Sequence, residues 1–469
     1  MNTNEFVQKV QMAILAVFSV LVMSIEMKPI KQMKLFIILS TVTLLLISSI
    51  CFGATYYVDA TNDNDSNLEI LARSPADVVP VTLFGMHIHH ITTYTPWPAV
   101  SFGTWRLWDA YVCWPDLEPN KGQWYFDRLD SYVQLAQSHN AEILLPLGLS
   151  PTWASARPTE PSAYKPGFAA EPANIEDWKN YVRTVATRYK GRIHYYEIWN
   201  EPNESNFFSG TVDQMVSLAR EAYTILKEID PEITVISPSA VPGGAVDLGT
   251  PWLEKYLMKG GAAYADIIGY HFYVTPNQPE SMLPLISKVK VLMAKYDVSS
   301  KQLWNTETGW ATPKTFSSEA EADGYVARSY ILSWAAGISR FYWYAWDDRD
   351  WLTLYMTEAD FKTLTTSATS YAQVQQWLIG TRMVACGQNE QGTWIANVIR
   401  DDNYSGWIVW NQTQSLNLEI PQNWNVKRMK DLRGNTTDLT GESQVAIGMA
   451  PILIEGTSLS PPSNFRIIQ

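Results

Sequence analysis

Between about Pro80 and Ser370 the chain alternates two textures. Short runs dense in β-branched and aromatic residues are each followed by a longer stretch whose apolar residues recur every three or four positions. The short runs are "VTLFGMHI", "TWRLWDAYV", "AEILLPLGL", "IHYYEIWN", "TVISPSA", "ADIIGYHFY", "QLWNTETGW" and "SRFYWYAW". They predict eight strands. In the stretch Asp213 to Ile229, Met215, Leu218, Ala219, Ala222, Leu226 and Ile229 share one helical face, Asp213 can cap the start and Asp230-Pro231 ends the run. Phe126 to His139 behaves alike through Leu129, Val133 and Ala136. Eight strands alternating with helices over this length predict an α/β fold, a (β/α)8 TIM barrel spanning residues 80–380. An open doubly wound sheet is the structural alternative, and no Gly-rich phosphate loop supports it.

The texture changes after Arg382. "TWIANVIRDD", "SGWIVWNQT", "LNLEIP", "VKRMKDL" and "QVAIGMAPILIE" are short and β-rich, with Gly, Asn and Asp turns between them. Residues 381–457 therefore read as a small C-terminal antiparallel, β-sandwich-like domain, and 458–469 as a Ser/Pro-rich tail. At the other end, Met33-Lys34 opens a basic step before the uncharged run Leu35 to Gly53, and polarity returns at Ala54. That is the layout of a secretory signal peptide, so 1–54 reads as a leader region, translation starting at Met33, and 55–79 as an N-terminal extension. An uncleaved anchor is the alternative. The upstream run Met12 to Ile25, about 14 residues, is short for a span. The expected location is outside the cell or in the periplasm, with no stable membrane partner after cleavage.

Apolar residues make up 46% of the 469-residue chain, ample for a large core. The net charge of −12 argues against a nucleic-acid partner. Twenty Trp and 24 Tyr mostly fill a core, but flat aromatic faces also suit sugar rings. Cys51 lies in the leader. Cys113 and Cys386 leave two readings open: one disulfide, or two buried thiols.

Catalytic groups of such barrels sit at the C-terminal ends of strands. Two strands end in glutamate here: the fourth in Asn200-Glu201-Pro202 and the seventh in Thr306-Glu307-Thr308. Retaining hydrolysis of a glycosidic bond needs two carboxyl groups about 5 Å apart, and strands four and seven face each other across a barrel. Glu197 shares Glu201's parity about 13 Å deeper at strand rise, and reads as a buried acid paired with a basic group. Glu204 lies past the strand and has no catalytic role in this reading.

The pair in "IWNEPN" and "NTETGW" resembles the clan A glycoside hydrolases, and "RLWDAYVCWPDLEPNKGQWYFDRLD" with "LGLSPTWAS" is most similar to glycoside hydrolase family 39. "TETGW" departs toward other families of the clan. The resemblance covers roughly Phe84 to Trp346. It implies Glu201 as general acid/base, Glu307 as nucleophile and Asn200 on the sugar 2-hydroxyl. It further implies His271 near the acid/base, Tyr273 and Arg106 beside the nucleophile, and Trp343 as the aromatic floor under the sugar. Family 39 includes β-xylosidases, α-iduronidases and exopolysaccharide endoglycosidases. The implied activity is retaining hydrolysis of β-glycosidic bonds in a xylan- or glucan-type carbohydrate, with no cofactor and no metal.

Two other readings are carried forward. His87-x-His89 puts two imidazoles on one face, and with His271 and Asp347 could form a metal site of an amidohydrolase-like barrel. Strand five offers no ligand to it, however, and strand four offers Glu201 rather than lysine. A catalytically silent carbohydrate-binding barrel would lack a catalytic glutamate, and both are present.

Overall fold

The computed structural model describes residues 76–243 and 247–456. The predicted leader, most of the N-terminal extension and the tail lie outside the described residues. Eight strands run in the predicted places: β1 Phe84–Met86, β2 Thr104–Arg106, β3 Glu142–Leu147, β4 Tyr195–Ile198, β5 Thr234–Ile236, β6 Ile268–His271, β7 Leu303–Thr308 and β8 Ile338–Trp343. They pair in parallel in the order β5-β4-β3-β2-β1-β8-β7-β6. Parallel bridges Ile236–Ile267 and Ala240–Tyr270 join the two ends, so the sheet closes into the (β/α)8 barrel.

Inward and outward positions separate by chemistry. Tyr195 of β4 meets Trp304 of β7, with ring centroids 5.5 Å apart, which only the barrel interior allows. Leu144, Ile236, Ile267 and Tyr342 join this small inner core. Outward residues pack under the helices: Phe84 stacks on Tyr330 of helix Glu319–Ala335, and Phe341 stacks on the same ring.

Helix Val212–Ile229 buries Met215, Leu218, Ala219, Ala222 and Leu226 as its period predicts, and also Ile225. Its cap is Thr211, not Asp213. The Thr211 hydroxyl accepts from Gln214 N–H, and the Gln214 side chain returns the bond to the Thr211 N–H. This is a reciprocal capping box, and the Thr-x-x-Gln spacing spells it in the sequence.

The C-terminal region is β9 Arg382–Gln388, β10 Thr393–Ile399, β11 Ser405–Asn411, β12 Leu416–Glu419, β13 Val426–Lys430, β14 Thr436–Asp438, β15 Gln444–Ile447 and β16 Ile452–Gly456. Six of them form an antiparallel sheet in the order β14-β13-β16-β11-β10-β9, and β12 pairs with β15. β11 is buried on both faces. Trp407 and Val409 join a core with Leu418 and Val445 of the β12–β15 pair, whereas Ile408 and Trp410 join the large core shared with the barrel. The Trp410 indole N–H donates to Glu280 Oε1 at 2.9 Å, fastening this sheet to the barrel. Cys113 and Cys386 are both buried and free, so the disulfide is not formed.

Candidate active site

β2 ends in Arg106, and its guanidinium organises the C-terminal mouth of the barrel. Nε donates to Glu197 Oε2 at 2.6 Å, Nη1 to Glu307 Oε2 at 2.7 Å and to His87 Nε2 at 3.1 Å, and Nη2 to Asn200 Oδ1 at 2.8 Å. Arg106, Glu197 and His87 are fully buried. A cation taken wholly out of water must be met by opposite charge, and two carboxylates supply it. They hold the guanidinium well above its ordinary value. Glu197 is thus the buried, paired acid predicted from sequence. Its other oxygen accepts from the Ser239 hydroxyl. Through one guanidinium it joins the same network as Glu307. Strand rise therefore places it too far from the mouth: Trp199 and Glu201 take left-handed backbone (φ 65° and 45°), so the chain past Ile198 turns instead of climbing.

Glu307 Oε1 accepts from the Tyr273 hydroxyl at 3.0 Å. Glu201 Oε1 lies 2.8 Å from His271 Nδ1, and its backbone N–H donates to Ser239 O. The donor atoms of Glu201, His271 and Glu307 all lie within 4.8 Å of one another. The two glutamates keep 8% and 6% of their surface exposed. Burial pushes both carboxyls up, Glu201 to about 8 and Glu307 to about 7. Burial is the largest cause for both, Arg106 opposes it at both, and Glu201 is raised further by the nearby Glu204, Asp109 and Glu197. Burial also drops His271 to about 4.

Arg106, Asn200, Glu201, His271, Tyr273 and Glu307 therefore meet at one place. Trp343 does not. It is fully buried on the outer face of β8, stacked on Trp310 and packed beside Tyr330. Alternation along β8 turns Arg340 and Tyr342 inward, and the next residue of that parity is Tyr344. Tyr344 lies 5.1 Å from the His87 ring and 5.7 Å from Trp351, which is half exposed over Tyr273 and Tyr344. The aromatic side of the mouth is Tyr344 and Trp351, one residue and one loop away from the predicted floor.

The four-residue metal set does not assemble. His87 Nδ1 faces the Trp343 carbonyl at 3.1 Å, so that nitrogen carries the proton and Nε2 accepts from Arg106, leaving no lone pair for a metal. Asp347 is consumed by the backbone N–H groups of His89 and His90 and by the Thr95 hydroxyl.

Sequence reasoning passed over Asp109, Ser239 and Tyr344. Asp109 accepts from the Tyr164 and Tyr344 hydroxyls at 2.5 and 2.8 Å. Its only signal was a carboxylate three residues beyond Arg106 in "WRLWDAY". Tyr344 was legible from the inward parity of β8, whereas nothing local marks Ser239.

Residues 110–322, a little under half of the chain, match the model of glycosyl hydrolases family 39. A β-xylosidase of Caldicellulosiruptor saccharolyticus is 27% identical over 184 residues, 38% of this chain and 36% of that protein. An endo-1,4-β-xylanase C of Paenibacillus barcinonensis is 24% identical over 205 residues, 39% of this chain and 18% of that protein. The match thus spans little more than a third of the first of these relatives and under a fifth of the second. Among solved structures, a family 39 glycoside hydrolase from Bacteroides cellulosilyticus WH2 superposes with a TM-score of 0.64 at 19% identity, over 80% of this chain and 81% of that one. A family 39 β-xylosidase from Caulobacter crescentus gives 0.56 at 13% identity, over 76% and 88%. The family match and these folds make the chain most like family 39 of clan A.

Proposed function

We propose, taking the kinship with family 39 of the clan A glycoside hydrolases as premise, that this chain is a retaining glycoside hydrolase that cleaves β-glycosidic bonds in xylan-type polysaccharides or oligosaccharides. The observation that carries the reading is the pair Glu201 and Glu307, with oxygens within 4.8 Å across the barrel mouth. Retaining enzymes hold their carboxyls about 5–5.5 Å apart, while inverting ones leave room for a water at about 6.5–9.5 Å.

Glu307, ionised against Arg106 and oriented by the Tyr273 hydroxyl, attacks the anomeric carbon. Glu201, which burial keeps protonated to a higher pH, gives its proton to the departing oxygen and then takes one from the incoming water. Asn200 Oδ1 is fixed by Arg106, which turns its amide N–H groups toward the sugar 2-hydroxyl. Tyr344 and Trp351 supply aromatic faces for the sugar ring. No cofactor takes part in these steps. Export follows from the leader-like segment ahead of Ala54, and N-terminal sequencing of the exported protein checks it.

The test is a panel of 4-nitrophenyl β-glycosides, β-xylo-oligosaccharides and polymeric xylan and glucan. Hydrolysis of the xylosides is expected, and turnover of none of the β-glycosides contradicts the reading.

A further inference from the structure

Asp109 stands three residues beyond Arg106 in left-handed backbone (φ 55°), half-buried at the barrel mouth. Its two carboxylate oxygens are set from opposite sides. Tyr344, one residue past β8, donates to one at 2.8 Å, and Tyr164 donates to the other at 2.5 Å. Tyr164 belongs to the loop between β3 and helix Ile175–Arg188, which Arg157 fastens through Glu160, Glu171 and Ser209. The arrangement borders the reacting groups. The Tyr344 ring packs 5.1 Å from that of His87, whose Nε2 is 3.8 Å from Glu307. On the same wall, the His89 ring lies 5.0 Å from Tyr344, and its buried Nε2 finds no hydrogen-bond partner among the described residues.

A loop latch would need only one acceptor. Here an ionisable acid is held by two hydroxyls from two elements, beside two other carboxyls whose protonation matters. Each carboxylate oxygen has two acceptor positions, and the tyrosines use one on each. Two positions remain, the number that neighbouring ring hydroxyls of a sugar would fill. A sugar bearing its own carboxylate would instead meet like charge in a poorly solvated place.

We propose that Asp109, set by Tyr164 and Tyr344, determines specificity in this site: its carboxylate accepts ring hydroxyls of a neutral sugar and turns away uronic acids. This rests on the glycosidase reading above and deepens it.

The experiment compares wild type with Asp109→Asn on 4-nitrophenyl β-D-xyloside, its monodeoxy analogues and 4-nitrophenyl β-D-glucuronide. Asp109→Asn is expected to lower kcat/KM on the xyloside about tenfold to a hundredfold, the range of a hydrogen bond to a charged group. Deleting the contacted hydroxyl should cost wild type a similar factor and cost the variant almost nothing more. The preference for xyloside over glucuronide should shrink about tenfold in the variant. Losses that multiply for every deoxy analogue, or a wild type that prefers the glucuronide, overturn the inference while leaving a working glycosidase. A chain that hydrolyses none of these compounds overturns both readings. Should Asp109→Asn not fold, Tyr164→Phe carries the same test: loss coupled to one deoxy position supports the inference, and multiplying losses overturn it.

Discussion

Two arginines lie inside this barrel, one at each end of the inner layer, and they are neutralised differently. Arg106 at the C-terminal mouth is met by four acceptors, two of them buried carboxylates. Arg340, near the start of β8, has one carboxylate, Glu142 at 2.6 Å, whose side chain is 41% exposed. Its guanidinium otherwise lies against flat rings, 4.2 Å from Tyr195 and 4.3 Å from Trp304. The lower arginine fills the inner core and stacks, as guanidinium can. The upper one holds acids that could not otherwise stay charged out of water. The difference separates packing from chemistry on one scaffold: Glu197 and Glu307 at the mouth are held by other buried polar groups, whereas Glu142 at the base is partly exposed.

The sharpest way to break that contrast is at Glu307. Glu307→Gly should lower kcat by about 10⁵-fold or more, as removal of a nucleophile does, and azide should restore part of it. Activity within tenfold of wild type would strip the mouth of its chemical role. Next is Glu201→Gln, with an expected loss of about 10²–10⁴-fold on substrates with poor leaving groups and far less on aryl glycosides with good ones. The pH dependence follows from the same pair. Activity needs Glu307 ionised, so kcat/KM rises as pH passes about 7, and needs Glu201 protonated, so it falls as pH passes about 8. The variant should lose the alkaline limb. Equal losses on both substrate types with the limb intact would move the acid role elsewhere.

The two arginines themselves come third. Arg106→Met should cost about 3–5 kcal/mol of stability, because Glu197 is left buried without its cation, and about 10²–10³-fold in kcat/KM. Arg340→Met should cost only about 1–2 kcal/mol, the scale of two cation–π contacts, with kcat/KM within about twofold. Urea unfolding beside kinetics reads both, and equal effects at the two ends would erase the distinction. The smallest expected effect is that of chelation. Extended treatment with EDTA should leave activity unchanged, since Glu201 and Glu307 act as carboxyls. Loss regained with zinc would instead make Glu201, His271 and Glu307 metal ligands.

The eight barrel strands and both glutamates were legible because their signals are local: a dense apolar run, then a carboxylate at its end. What was missed needed register or three dimensions. Trp343 and Tyr344 are adjacent aromatics, and only the inward parity of Arg340 and Tyr342 says which one faces the mouth. Glu197 looked remote because strand rise assumes extended backbone, and Trp199 and Glu201 depart from it. β14, Thr436–Asp438, is exposed at every position and carries no apolar signal. "QVAIGMAPILIE" reads as one run but divides into β15 and β16, which pair in different sheets. Asp109 meets Tyr164 and Tyr344 across 55 and 235 residues of sequence.

The central claim is that Glu201 and Glu307 work as a double-displacement pair. It is tested most directly by ¹H NMR of the first product released from a β-xyloside, recorded before mutarotation. The account predicts that the new reducing sugar appears first as the β-anomer, its configuration retained through two displacements. First appearance of the α-anomer would mean a single displacement by water, and would contradict Glu307 as nucleophile.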